Sequence, residues 1–469
     1  MVKVKVGLVG LMQPNFRGDK ESVYKRCVEG LKELSKELGF ELLPYPKLLS
    51  NPDQAKKAKE EIESQGVDFL LILNVSFASG YLVQTLAQTD AFIGLWSVPE
   101  QSDSGPLPQN SFCAMNLNAS LVKLVAPHKK FKWFYGYADE KPFRERFSIT
   151  IRALSALKNL KDKSIVQIGG HAPGFDSLTY DAERIREIFA VHIKEVPFET
   201  LKDLMQKQKD VEDIVADLKR RHESIDSLSE RTLVPAAALV RALREICETE
   251  KCEAIALLCW PRFRSELSMV PCASMGYLND EGIVVACEGD VLGALSMLVL
   301  KLISDHPAML FDVVSLDLKD ESLLFWHCGV GMKSYSNRLF MKKHFNPGPY
   351  DPEKGWLEMA PVSEIVVDPM PATVLRLTEN GTKAFVFEGE FLNDVKPSFD
   401  GSRGWFSSLK DHAGRKLGVL DLVNTLMCHR LEHHFAVVRG HWAKHLVEMF
   451  QWLGVELLET IPYSENSVC

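Results

Sequence analysis

None of the ten cysteines in this chain of 469 residues falls in a CxxC pair. A disulfide framework is not expected in a chain this long whose amino terminus enters a strand at once rather than a leader. The cysteines read instead as reduced core residues of a cytoplasmic protein. No long basic run stands out beyond short ones such as Lys129-Lys130, and the net charge is −8, which sets aside a dedicated nucleic-acid binder. No stretch is long and apolar enough for a membrane span. The most apolar helix expected, roughly Val291–Ser304, is short and carries Lys301. The first strand and its loop lack the GxGxxG spacing of a dinucleotide site. Internal repeats and low-complexity segments are absent, and composition is that of an ordinary globular protein.

What is present is a succession of strands and helices. Residues 3–10, KVKVGLVG, form a first strand, followed by the loop MQPNFRGD with Arg17 and an amphipathic helix from about Lys20 to Leu38. Continuous apolar runs at 67–74 and 91–97 read as strands of a parallel sheet, with a further strand at 132–137 and a long helix at 141–160. A second series begins at 164–168 and turns through Gly169-Gly170-His171, either a tight turn or a ligand-facing one. Charged, interrupted helices fill 198–248, and strands follow at 254–259 and 283–287. Trp260 and Arg262 come just after a strand end, where a pocket or plain packing are both open. Beyond 312 helices thin out, and alternating strands at 323–327, 372–377 and 383–389 appear. The last two are joined by Thr378-Glu379-Asn380-Gly381, a hairpin signal. The Pro- and Gly-rich stretch 340–360 reads as a long loop.

The expected fold is therefore α/β: two doubly wound parallel-sheet, Rossmann-like domains followed by a carboxy-terminal antiparallel β-barrel. The expected boundaries are 1–160, 161–306 and 307–469, with Glu288 in the second domain and Asp312 and His434 in the third.

The chain is organised around the segment VVACEGDVLGALSMLVLKLISDHPAMLFD, 284–312. A buried strand ends in Glu288-Gly289-Asp290, a helix follows, and Asp312 lies inside the next apolar strand. Acids at the carboxyl end of a strand stand where open α/β sheets bind ligands. An acid inside an apolar strand is costly unless it is paired or bound to a cation. Asp290 is also well placed to cap the helix, Glu288 could be a solvated strand-end acid, and Asp312 could pair with a distant base. Near the carboxy terminus, LEHHFAVVRGHW (431–442) brings several histidines together.

This Glu-Gly-Asp turn, the Gly-Ala that opens the helix and the later Phe-Asp resemble the metal-binding region of the L-fucose isomerase and L-arabinose isomerase family. The resemblance extends over the whole layout. It implies that Glu288 and Asp312 hold a divalent metal and that His434, at its fixed distance from Gly440-His441, is the third ligand. It places His327 about where the arabinose enzymes have a further metal-binding His. It also implies a homo-oligomer, a hexamer, whose site lies at a subunit boundary and borrows residues such as Arg17 from a neighbour.

Two carboxylates and an imidazole suit Mn²⁺ foremost, with Mg²⁺ or Co²⁺ as alternatives. The expected activity is aldose–ketose isomerisation of an open-chain sugar, fucose- or arabinose-like or a modified hexose, through an enediol. Glu288 and Asp312 serve as the acid/base pair, and Arg17, Trp260 and His327 face the substrate. The competing expectation is a non-catalytic cytoplasmic sugar-binding or regulatory protein. No nucleic-acid or membrane partner is expected.

Overall fold

The computed structural model describes every residue except 1, 226–227, 229, 345–360 and 394–395. By compactness the chain falls into two units, Met1–Asn159 and Leu160–Cys469.

The first unit is a five-stranded parallel sheet. Its strands are β1 (Lys5–Leu11), β2 (Glu41–Pro44), β3 (Phe69–Asn74), β4 (Phe92–Ser97) and β5 (Phe131–Tyr135), in the order β2-β1-β3-β4-β5. That order is one of the common doubly wound arrangements. Strand β3, FLLILN, is buried at every position because helices cover both faces of the sheet. Arg17 is exposed in the loop between β1 and the helix Lys20–Leu38.

The second unit opens with another parallel sheet. It contains β6 (Ser164–Ile168), β7 (His192–Val196), β9 (Ala254–Leu257) and β10 (Val284–Ala286), in the order β10-β9-β6-β7. The two-residue strand β8 (Ser224–Ile225) instead joins β13 (Phe340–Lys343) and β14 (Pro361–Glu364) in a small three-stranded sheet. Six antiparallel strands close the barrel: β11 (Met309–Asp317), β12 (Ser322–His327), β15 (Met370–Thr378), β16 (Lys383–Phe391), β17 (Ser402–Asp411) and β18 (His434–Arg439). They run β15-β18-β11-β12-β17-β16, and β16 pairs back to β15 to complete the ring. A short β19 (Glu456–Leu457) extends β16 in parallel. Closure removes the open edges that would otherwise invite pairing with another chain. The barrel is filled by large side chains such as Phe311, Phe325, Phe385 and Phe406, all essentially inaccessible.

The helix Val291–Ser304 joins the two architectures. It packs against β9 and β10 on one side and β15 and β18 on the other. That is why VLGALSMLVL is apolar all round instead of striped. Asp290 caps it, its side chain accepting from the Gly293 amide at 2.7 Å.

Two expectations are corrected here. Cys428 and Cys469 form a disulfide, so the cysteines are not all reduced. Cys428 ends a helix and Cys469 ends the chain, so the bond follows from the path of the carboxy-terminal tail, for which sequence spacing has no signal. Of the stretch read as a loop, Phe340–Lys343 is strand β13, and 345–360 lie outside the described residues.

Candidate metal centre and active site

The carboxyl ends of β9 and β10 open the site. After Ala286 the chain turns through Cys287, Glu288 and Gly289, and the last two have positive φ, 59° and 73°. Left-handed backbone at a non-glycine residue such as Glu288 costs about 1–3 kcal/mol and persists only where its surroundings enforce it. They do so here. Ala172 N–H donates to the Glu288 carbonyl, Gly289 N–H to the Leu257 carbonyl, and the Gln167 side-chain amide to the Gly289 carbonyl, each at 3.0 Å. Gly289 has no alternative at this point. A Cβ there would lie 2.1 Å from the Gly170 carbonyl oxygen. Gly289→Ala is therefore expected to cost about 2 kcal/mol or more, from strain and clash together, as read by denaturant unfolding.

The fixed turn aims Glu288 at residues from the barrel. Strands β11 and β18 are antiparallel, and their register sets Asp312 directly opposite His434. Side chains directly opposed across two strands stand on the same face. His434 Nε2 lies 3.6 Å from Glu288 Oε2 and 3.8 Å from Asp312 Oδ1. So the three residues named from the sequence come together, from the end of β10, the middle of β11 and the start of β18. His327, the last residue of β12, stands beside them, its Nδ1 3.8 Å from Asp312 Oδ2. Trp260 donates from Nε1 to Glu288 Oε1 at 3.3 Å and packs edge-on against Phe175. Arg17 belongs to the other unit.

The orientation of His434 comes from behind. Its Nδ1 lies 3.0 Å from Asp290 Oδ2, which also receives a hydrogen bond from Arg376 at 2.6 Å. His434 is 1% exposed, and Asp290 and Arg376 are 0% exposed. This carboxylate fixes the Nδ1–H tautomer and turns the Nε2 lone pair toward Glu288 and Asp312, as metal-binding histidines require. Burial alone would push both groups toward their neutral forms. For Asp290 the Arg376 charge and the His434 contact outweigh it and hold the carboxyl well below the usual range. For His434 the bond to Asp290 and the charges of Asp312 and Glu288 outweigh it and raise the imidazole. Glu288 follows the same pattern: burial opposes ionisation, but the His433 hydrogen bond and the neighbouring His434 hold its carboxyl below the ordinary value.

Does this set fit a divalent ion? Ligand bonds of about 2.1 Å put neighbouring donors of an octahedron about 3 Å apart and opposite ones about 4.2 Å apart. The two separations from His434 Nε2 fall between these. Asp312 Oδ1 is buried with no hydrogen-bond partner, the condition of an acceptor whose partner is a cation. Cys287 Sγ lies 3.0 Å from His327 Nε2 and 3.5 Å from His434 Nε2. A hydrogen bond with Cys259, and burial, push its thiol well up. Among the described residues, Glu288 with His433 and His434, and Cys287 with His327 and His434, bring their ligating atoms within 4.8 Å of one another, and Asp312 stands 3.8 Å from His434 Nε2 beside them. Glu288, Asp312 and His434 make a hard set, two carboxylates and an imidazole.

A cavity of about 320 Å³ opens beside these groups. Glu288, Asp312, His327 and Trp260 line it, with Arg264 and Trp326.

Three contributors were not named from the sequence as parts of the site. His433 Nε2 sits 3.1 Å from Glu288 Oε2. Cys287 stands against two imidazoles. Asp290 was legible as a helix cap, but its hold on His434 was not. The His433-His434 pair was the available signal for the first.

The family "L-fucose isomerase, C-terminal domain" matches residues 362–460. A sulfoquinovose isomerase of Alkalicoccus urumqiensis is 27% identical over 420 residues, covering 88% of this chain and 90% of that one. The sulfoquinovose isomerase of Priestia aryabhattai is 25% identical over 416 residues, covering 87% and 89%. A galactofuranose-binding protein of known structure is 12% identical and covers 60% of the chain at a TM-score of 0.17, too low to bear on the argument. Residues 362–460 thus match that domain family, and most of the chain is similar to sulfoquinovose isomerases.

Proposed function

We propose that this protein is a metal-dependent aldose–ketose isomerase acting on an open-chain modified sugar of the sulfoquinovose type. One observation carries the reading. Glu288 and Asp312 stand on one cavity wall and the buried His434 meets both from a distant segment, with a buried Asp312 oxygen left unpartnered. A protein that only binds sugar has no need of two acids and an oriented imidazole at one point. The relatives' name supports the same reading.

Glu288, Asp312 and His434 would hold the ion, with Mn²⁺ foremost and Mg²⁺ or Co²⁺ as alternatives. Once bound, it polarises the sugar carbonyl and makes the hydrogen on the neighbouring carbon more acidic. The chain's own groups move that proton. Glu288, kept ionised by His433 and His434, takes it, and Glu288 and Asp312 share its return to the adjacent carbon through an enediol. Trp260 fixes one Glu288 oxygen by its indole N–H, and Trp260 and His327 face the sugar. A homo-oligomer, a hexamer in which Arg17 serves a neighbour's site, belongs to the same reading.

Sulfoquinovose carries a sulfonate, a permanent anion. Among the described residues that line the cavity, Arg264 is the permanently charged cation. Its planar guanidinium suits a tetrahedral oxyanion. The test is incubation with sulfoquinovose, L-fucose and L-arabinose in the presence of Mn²⁺, with ketose formation followed directly. Sulfoquinovose is expected to be turned over best, and no ketose from any of the three would overturn the reading. Arg264→Met is expected to lower kcat/KM for the sulfonated sugar by about 10- to 100-fold, the worth of a charged hydrogen bond, and to leave a neutral aldose nearly unaffected.

A further inference from the structure

A second cluster of ligating groups lies in the wall of the same cavity. Cys272 is the first residue of the helix Cys272–Asp280, Cys328 follows β12, and His344 follows β13. Their ligating atoms all lie within 4.8 Å of one another. None of the three belongs to the group around His434. We propose that Cys272, Cys328 and His344 form a separate site for a thiophilic divalent ion, of which Zn²⁺ is the natural occupant.

The geometry has the right scale. The two sulfurs are 3.8 Å apart. A tetrahedral ion with Zn–S bonds of about 2.3 Å holds two thiolates about 3.8 Å apart, and an imidazole nitrogen at about 2.0–2.1 Å completes a third corner. Two thiols in plain contact would sit at a similar separation, so the third group decides. An imidazole brought to a thiol pair from a different strand makes the Cys₂His donor set that zinc takes. Cys272 is 5% and His344 6% exposed, and Cys328 is half-buried at the cavity edge.

Three protein ligands leave one of zinc's four positions for a further donor, and all three line the cavity. The two centres would sort ions by softness: carboxylate oxygens with one imidazole at His434, thiolates with one imidazole here. The site also spans the parallel sheet's helix and two strand ends beyond it. An ion bound there ties these segments together and stabilises the folded chain by mass action.

The full-length protein, stripped of metal under reducing conditions, is titrated with Cd²⁺ alone. Thiolate-to-cadmium absorption is expected to saturate at one equivalent and to accompany a rise in the thermal unfolding midpoint. It should persist in Glu288→Gln and in Cys287→Ser. It should vanish in the Cys272→Ser/Cys328→Ser double variant, and His344→Ala should weaken binding by more than about tenfold. A band that survives the double variant, or one lost in Cys287→Ser, overturns the assignment. So does a Cys272–Cys328 disulfide that forms equally with and without the ion. If the double variant does not fold, X-ray absorption of the zinc-loaded native chain decides. Two sulfur scatterers at about 2.3 Å support the site, and an oxygen-only shell refutes it.

Discussion

Glu288→Gln and Asp312→Asn are each expected to lower kcat by about 10²- to 10⁴-fold, the range that a positioned acid or base contributes. Both acids are also proposed ligands, so the loss has to be separated from loss of metal. Each variant is therefore assayed at saturating Mn²⁺ with its bound metal measured. The expectation is that turnover stays low when the metal content is restored. Isomerisation in D₂O then tests the route. A carboxylate base exposes the transferred proton to exchange, so solvent deuterium should appear on the carbon that receives it. Complete retention of the substrate's own hydrogen at slow turnover would mean a direct hydride shift and would remove the base role from both acids. Near-normal activity in both amide variants with metal bound would place the chemistry elsewhere. The local structure favours Glu288 as the first base. Its turn is held by backbone bonds on both sides, and His433 and His434 keep its carboxyl ionised although it is mostly buried.

The sequence carried the acids well because each violates an expectation of burial. Glu288 ends an apolar strand and Asp312 interrupts one, and both were conspicuous against the hydrophobic pattern. The alternation of apolar runs and helices likewise gave the parallel sheets, and Asn380-Gly381 gave the β15–β16 hairpin. What the chain could not disclose was register. His434 meets Asp312 because β18 pairs with β11 at that offset, and more than a hundred residues separate the two strands. Nothing local distinguishes this pairing from one slipped by a residue, which would turn His434 to the other face. The family resemblance, not the periodicity, singled out His434. The same limit hid Cys272, Cys328 and His344, which lie in three segments with no motif spacing among them. It also hid the Cys428–Cys469 bond and the second role of Asp290. A helix cap is readable from one sequence window, but a carboxylate shared by a cap, an arginine and a histidine is a property of the assembled fold.

That shared carboxylate sets up the largest stability effect expected in the molecule. Arg376, on β15, is wholly buried between Asp290 at 2.6 Å and Glu432 at 3.1 Å. Arg376→Met keeps the length and removes the charge, leaving Asp290 buried beside an apolar group. Breaking a buried pair by removing one partner costs about 3–5 kcal/mol, because the remaining charge is stranded. Lys36→Met, which removes the exposed pair with Glu33, should cost less than about 1 kcal/mol and serves as the control.

The cost of losing Arg376 depends on pH. The folded-state carboxyl of Asp290 is depressed, so its contribution is fully present above the unfolded value near 3.9 and is lost as pH falls through the folded one. In the variant, burial without Arg376 raises that carboxyl instead. The gap between wild type and Arg376→Met should therefore be widest at neutral pH and should narrow as the solution is made acidic. Adding Asp290→Asn to Arg376→Met removes the stranded charge and keeps a helix-capping side chain, so part of the stability should return. The grip on His434 should not return, and Mn²⁺ affinity is expected to stay about 10- to 100-fold down in the double variant. If stability and metal affinity recover together, the Asp290 carboxylate serves the fold alone. If Arg376→Met costs no more than the Lys36 control, the buried network does not hold the site in place.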